Sequence, residues 1–193
     1  MLGRRLPPPG KLYDVGGYRM HLQAAGESRP NEKGVRSPTL VWIPGGYGEG
    51  SALHHLHTAM AKETRSILYD RAGTGWSDVG PWPRSLANDV SELARLFDAA
   101  GEPGPFVFVG HSWGGLLSVN YAAAHKDQVA GLVLLEATPA VNLTSPMGAD
   151  GLRQYAGSMR GLSELKLFGL DGLFARGLEQ NPEYRRVMGL MKN

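Results

Sequence analysis

The chain contains no cysteine, and that absence removes disulfides, thiolate metal sites and a cysteine nucleophile together. A surplus of charge is missing as well. Lys and Arg number 20 against 18 Asp and Glu, and the formal net charge of +2 is too small for a surface that tracks nucleic-acid phosphates. No apolar run reaches the length that crosses a bilayer. Residues 1–11 are basic and proline-rich but lack the apolar core of a secretory signal, so an extended lead-in and a cytoplasmic location are the default expectations. Internal repeats and low-complexity tracts are absent too. What remains is an ordinary globular composition: 193 residues, 42% hydrophobic and 20% charged, enough for one sizeable core.

Residues 12–24 place Tyr18, Met20 and Leu22 in alternation beyond a Gly16-Gly17 turn. That pattern predicts a half-buried antiparallel hairpin with His21 on its exposed side. Residues 26–38 are polar and turn-rich and read as a loop. Four short, continuous apolar runs follow: TLVWI (Thr39–Ile43), SILY (Ser66–Tyr69), FVFV (106–109) and VAGLVLL (Val129–Leu135). The first two are typical of strands buried on both faces, and the other two also read as strands. Between them lie helical periods. Ser51 is placed to cap a helix reaching residue 62, with Leu53, Leu56 and Met60 on its apolar face. Ser85 opens a second helix with Leu86, Val90, Leu93 and Phe97 on one face, and Gly101 closes it. A third helix spans 113–125. Strands alternating with helices predict right-handed parallel crossovers, hence an α/β fold: an open, mostly parallel sheet with helices on both faces. Residues 1–136 make up this core. Residues 137–193, helical in tendency but interrupted by Gly161, Gly169, Gly172, Gly177 and Pro182, are expected to form a partial helical cap.

The sharpest local signal is Gly110-His111-Ser112-Trp113-Gly114, a G-x-S-x-G between the 106–109 strand and the third helix. A tight strand-to-helix turn there strains the backbone of the central serine and lifts its hydroxyl above the sheet. Glycines flank it because side chains would collide with the turn. The helix beginning at Trp113 adds N–H donors and a positive dipole end beneath a developing oxyanion. The plainer alternative is a serine that only caps a helix. The strand before it and the helix after it favour the nucleophile.

Three motifs in this order resemble those of the α/β-hydrolase superfamily. Ile43-Pro44-Gly45-Gly46-Tyr47-Gly48, after the TLVWI strand, is similar to its oxyanion loop. Tyr69-Asp70-Arg71-Ala72-Gly73-Thr74-Gly75-Trp76-Ser77-Asp78 is similar to its D-x-x-G-x-G-x-S loop. The elbow, GHSWGG, is the third. The resemblance implies that Ser112 is the nucleophile and that the oxyanion hole takes one backbone N–H from Trp113 and one from Gly46. Where the family often has a histidine before that glycine, this chain has Pro44, which donates no N–H. Asp70 and Arg71 are implied to tie the end of the sheet together. Glu136, at the carboxyl end of VAGLVLL, stands where ligand-facing residues gather in open sheets. Either it is the acid of a Ser–His–Glu triad, a position that haloalkane dehalogenases also use, or it is a strand-end carboxylate accepting backbone N–H groups.

In this fold the triad runs serine, acid, histidine along the chain. The last histidine here is His125, which its helix carries away from Ser112 by about 1.5 Å per residue. His111 flanks the serine and is expected to turn aside. His54, His55 and His57 belong to the helix after the oxyanion loop, His57 near its apolar face and His55 opposite, and the His54/His57 pair has no evident third partner for a metal. No general base is therefore expected, and no metal or cofactor. The expected function is a serine hydrolase acting on a small-molecule ester, lactone or amide carbonyl through an acyl-enzyme on Ser112, inactive or impaired in this chain. The alternative is a non-catalytic binding or interaction protein, or a truncated isoform, with the same core. A serine at the elbow disfavours dehalogenase and epoxide-hydrolase chemistry, in which an aspartate attacks. With no later strand to pair it, Val129–Leu135 is expected to be an apolar edge through which chains self-associate.

Overall fold

In the computed structural model the described residues are 7–140, apart from 31, 47, 49 and 83, together with 150. The chain divides into two compact units, Met1–Pro139 and Ala140–Asn193. Nearly all of the helical cap expected of 137–193 lies outside the described residues.

Six strands form one sheet: β1 (Lys11–Asp14), β2 (Arg19–Ala25), β3 (Thr39–Ile43), β4 (Ser66–Tyr69), β5 (Phe106–His111) and β6 (Val129–Leu135). Their order is β1-β2-β4-β3-β5-β6. The first two make the hairpin, β2 runs antiparallel to β4, and β4, β3, β5 and β6 are mutually parallel. Three α-helices connect them: α1 (His54–Met60), α2 (Leu86–Ala100) and α3 (Trp113–Ala124). The period of two along β3 assigns the layers. Val41 and Ile43 pack with Leu93, Leu96 and Phe97 of α2 and with Leu117 and Tyr121 of α3. Trp42 and Leu40 pack on the opposite face with Leu68, Leu53 and Met60, the side of α1. The result is a mostly parallel α/β sheet covered on both faces, as the alternation of strands and helices predicts. Each fully buried core side chain contributes about 1.5–3 kcal/mol.

Helix α2 follows its sequence signals closely. The Ser85 side chain accepts the Asn88 N–H at 3.2 Å, and Gly101 closes the helix at φ 69°. Helix α1 does not. A 3₁₀ turn, Gly50–Leu53, precedes it, its N-cap is Leu53 rather than Ser51, and it ends at Met60. A start at three residues per turn rotates every later position. Leu56 is consequently exposed, while His57, expected near the apolar face, is buried.

His21 is a second correction. It is buried, not exposed, with Nδ1 3.0 Å from Asp70 Oδ2. Its Nε2 accepts the Gly10 N–H at 3.1 Å. Alternation assigned this face of β2 to solvent, but the loop after β4 folds back over it and sets Trp76 against the imidazole.

β6 pairs with β5 on one side and with no strand on the other among the described residues. Leu132, Val133, Leu134 and Leu135 are exposed, in keeping with the apolar edge expected of this strand.

Candidate active site

The carboxyl ends of β3, β5 and β6 converge on Ser112. Its backbone sits at φ 51° and ψ −118°, a conformation that L-residues rarely adopt and that costs about 1–3 kcal/mol. Three backbone hydrogen bonds hold it there. The Ser112 N–H donates to the Leu135 carbonyl at 3.1 Å, and the Ser112 carbonyl accepts from the Gly115 and Thr138 N–H groups, each at 3.0 Å. The glycines around it are required by contact. A Cβ on Gly110 would lie 2.6 Å from the Gly114 carbonyl oxygen, one on Gly114 would lie 2.2 Å from the Ile43 oxygen, and one on Gly115 would lie 2.3 Å from the Ala137 Cβ. The elbow is thus wedged between the end of β3 and the turn after β6.

The loop after β3 lies against this elbow. A Cβ built on Gly45 would stand 3.5 Å from the Ser112 Cβ, and one on Gly46 would stand 3.7 Å from the Trp113 Cβ. Trp113 is the first residue of α3, where N–H groups have no intrahelical acceptor. Among the described residues neither its N–H nor that of Gly46 donates to a protein acceptor. Among the described residues the Ser112 hydroxyl has one hydrogen-bonding partner, Thr138 Oγ1 at 3.4 Å.

Asp70 and Arg71 reach this region from the end of β4. The Asp70 carboxylate accepts from the Gly50 N–H at 2.7 Å, from the Trp76 N–H at 3.0 Å and from His21. It is saturated within the fold. The Arg71 guanidinium instead donates to the carbonyls of the loop after β3: Pro44 at 3.0 Å, Gly45 at 2.7 Å, and Gly46. Glu136 stands at the end of β6 with a left-handed φ of 44°. Its side chain is exposed and makes no hydrogen bond or ion pair with another described residue.

All six histidines are among the described residues, and none is hydrogen-bonded to Ser112. His57 is enclosed, its Nδ1 2.9 Å from Ser66 Oγ, which also accepts the Trp42 indole N–H at 2.8 Å. Burial, and the charge on His54 beside it, push the His57 imidazole down to about 4. His54 rests against Thr58 and His125 stacks on Tyr121 at the far end of α3. His55 is exposed on α1. His111 is exposed, with its ring edge beside Gly45. No group of three or more His, Asp or Glu able to hold a metal occurs among the described residues, and no helix there is long and apolar enough to cross a membrane.

Ser112, Gly46 and Trp113, singled out in the sequence, therefore meet at one point, and Glu136 lies on the neighbouring strand end. Thr138 carries no motif, and its only sequence signal is proximity to the carboxyl end of β6. For Arg71 the D-x-x-G loop marked the residue but not its partners.

Residues 38–165 match the family model for the alpha/beta hydrolase fold. The chain is 38% identical over 130 residues to the lipase LipV of Mycobacterium tuberculosis, covering 64% of this chain and 43% of the lipase. Among solved structures it resembles an alpha/beta hydrolase from Novosphingobium aromaticivorans, with 28% identity, a TM-score of 0.55, and coverage of 64% of this chain and 42% of that one. It also resembles Est816, described as an N-acyl homoserine lactone degrading enzyme, with a TM-score of 0.65, 92% of this chain and 63% of that one covered, and 22% identity, which speaks for the fold alone. The chain spans less than half the length of the curated lipase. Family match, sheet order and elbow agree: this chain belongs to the α/β-hydrolase fold family.

Proposed function

We propose that Ser112 is the nucleophile of a serine hydrolase that cleaves the ester, lactone or amide carbonyl of a small molecule. One observation carries this reading: a strained serine at the end of β5 faces a loop and a helix start that each offer an N–H with no acceptor among the described residues. In the acylation step Ser112 Oγ bonds to the carbonyl carbon and loses its proton to a base. The former carbonyl oxygen takes the negative charge between the Gly46 and Trp113 N–H groups, and the leaving group departs with a proton. Water then repeats the addition and releases the acid. Glu136 is the candidate acid that would orient a histidine, and 137–193 is the candidate partial cap.

Within these 193 residues the base is the missing part. None of the six histidines is hydrogen-bonded to Ser112, so this chain by itself reads as an impaired hydrolase. The same observation favours the second reading, a protein that binds a carbonyl ligand without turnover. The exposed apolar edge of β6 supports self-association in either case.

A fluorophosphonate probe separates the two, because it bonds to a serine held against an oxyanion hole. Intact-mass analysis at pH values from neutral to alkaline is expected to show one adduct on Ser112, formed faster as pH rises, and none on Ser112→Ala. Absence of the adduct at every pH supports the binding protein.

A further inference from the structure

We infer that Arg71 is the positioning residue of the oxyanion loop: by binding its carbonyls from behind, it fixes the direction of the Gly46 N–H. The inference rests on the roles given above to Ser112 and Gly46, but its physical basis is independent of them.

Arg71 is buried at 6% exposure, and among the described residues no carboxylate forms an ion pair with it. A guanidinium stripped of water costs several kcal/mol unless its N–H groups are satisfied. Here the carbonyls of three successive residues, Pro44, Gly45 and Gly46, satisfy them. The consequence lies in peptide geometry. The Gly45 carbonyl and the Gly46 N–H belong to one planar trans unit and point in opposite directions. Holding the Gly45 oxygen at 2.7 Å therefore aims the Gly46 N–H away from Arg71. Gly45 O also accepts the Gly48 N–H at 3.0 Å, which closes the turn on the same atom.

Two adjacent glycines have little conformational preference of their own, so without the clamp only the Gly48 N–H would hold that peptide. Arg71 thus supplies rigidity that the Gly45-Gly46 backbone lacks. It has a second, electrostatic effect. A cation on the oxygen side polarises the peptide and makes the N–H a stronger donor. The same uncompensated charge favours an anion on the far side of the loop. A lysine has one ammonium centre where the guanidinium has a fork, and it does not span three carbonyls.

The test compares the wild-type chain with Arg71→Gln and Arg71→Lys by two readouts. The first is amide hydrogen exchange of 44–48, measured against β3 and β5. The second is the rate of fluorophosphonate attachment to Ser112. Arg71→Gln is expected to speed exchange in 44–48 by about tenfold or more while β3 and β5 keep their protection. It is also expected to slow attachment by roughly 10²-fold, the scale of one lost oxyanion donor. Arg71→Lys falls between, and millimolar guanidinium salt restores part of the rate to Arg71→Gln, which a general loss of stability does not allow. If Arg71→Gln fails to fold, exchange in the folded Arg71→Lys protein decides. Wild-type exchange at 44–48 in a folded variant overturns the inference. So does loosening spread equally over every strand. If wild-type Ser112 takes no probe at all, the hydrolase reading fails, and the exchange comparison still decides whether Arg71 clamps the loop.

Discussion

Thr138 donates its N–H to the Ser112 carbonyl at 3.0 Å and holds its hydroxyl 3.4 Å from Ser112 Oγ. The turn after β6 therefore grips the strained serine by its backbone and offers its side chain a weak partner. Thr138→Val keeps the first contact and removes the second. It is expected to leave thermal stability within a few degrees, and to slow probe attachment to Ser112 by roughly tenfold, the scale of one hydrogen bond. Equal attachment rates would show that the hydroxyl does not orient Ser112.

Glu136 sits at φ 44°, where an L-residue is strained by about 1–2 kcal/mol and glycine is not. Glu136→Gly is accordingly expected to be more stable than Glu136→Ala by about 1 kcal/mol in denaturant titrations. The comparison separates backbone strain from any chemical role of the carboxylate, since both variants lose the latter. An alanine variant at least as stable as the glycine variant would contradict the left-handed geometry.

His57 gives the fold an acid sensitivity of calculable sign. Burial, with the His54 charge, lowers it from 6.5 to about 4, so the folded chain holds it neutral. An unfolded chain protonates the same ring as soon as pH drops below its ordinary value. Its contribution is fully present above about pH 6.5 and is lost as pH falls toward about 4, a change of about 3 kcal/mol. His57→Leu leaves Ser66 bonded to the Trp42 indole and removes the titration. Urea unfolding should show the wild type losing more stability than the variant across that interval. Parallel curves would refute the assignment.

The outer edge of β6 exposes Leu132, Val133, Leu134 and Leu135, with Leu134 at 48%. Nothing along Val129–Leu135 carries a charge or a proline to discourage pairing. The chain is expected to self-associate, and Leu134→Lys to shift it toward monomer. Sedimentation velocity over a range of concentrations measures both, and a wild type that stays monomeric throughout would sink the expectation.

How much of this was legible in the sequence depends on the range of the interactions. The elbow was legible because its motif is local: Gly110, Ser112, Gly114 and Gly115 lie within six residues, whereas the Ile43 and Ala137 contacts of Gly114 and Gly115 come from other strand ends. The layers were legible because strands alternating with helices require parallel crossovers that cover both faces of the sheet. His21 was not, because a loop some fifty residues later covers it. The start of α1 and the exposure of Leu56 were not legible either, because a 3₁₀ turn that composition does not mark precedes the helix. The partners of Arg71 and Thr138 lie 25 to 27 residues away and are set by which strand ends the crossovers bring together. A motif names such residues without naming what they touch.

The central claim is that Ser112 forms an acyl-enzyme beside the Gly46 and Trp113 N–H groups but lacks a base within this chain. Intact-mass spectrometry during incubation with a nitrophenyl acetate ester tests it most directly. The expected result is nitrophenol release little above that of Ser112→Ala at neutral pH, with any acetyl group confined to Ser112 and formed faster as pH rises. Sustained Ser112-dependent turnover at neutral pH would contradict it by showing that a histidine of this chain reaches the serine, and a Ser112 that never acquires acetyl would contradict the nucleophile itself.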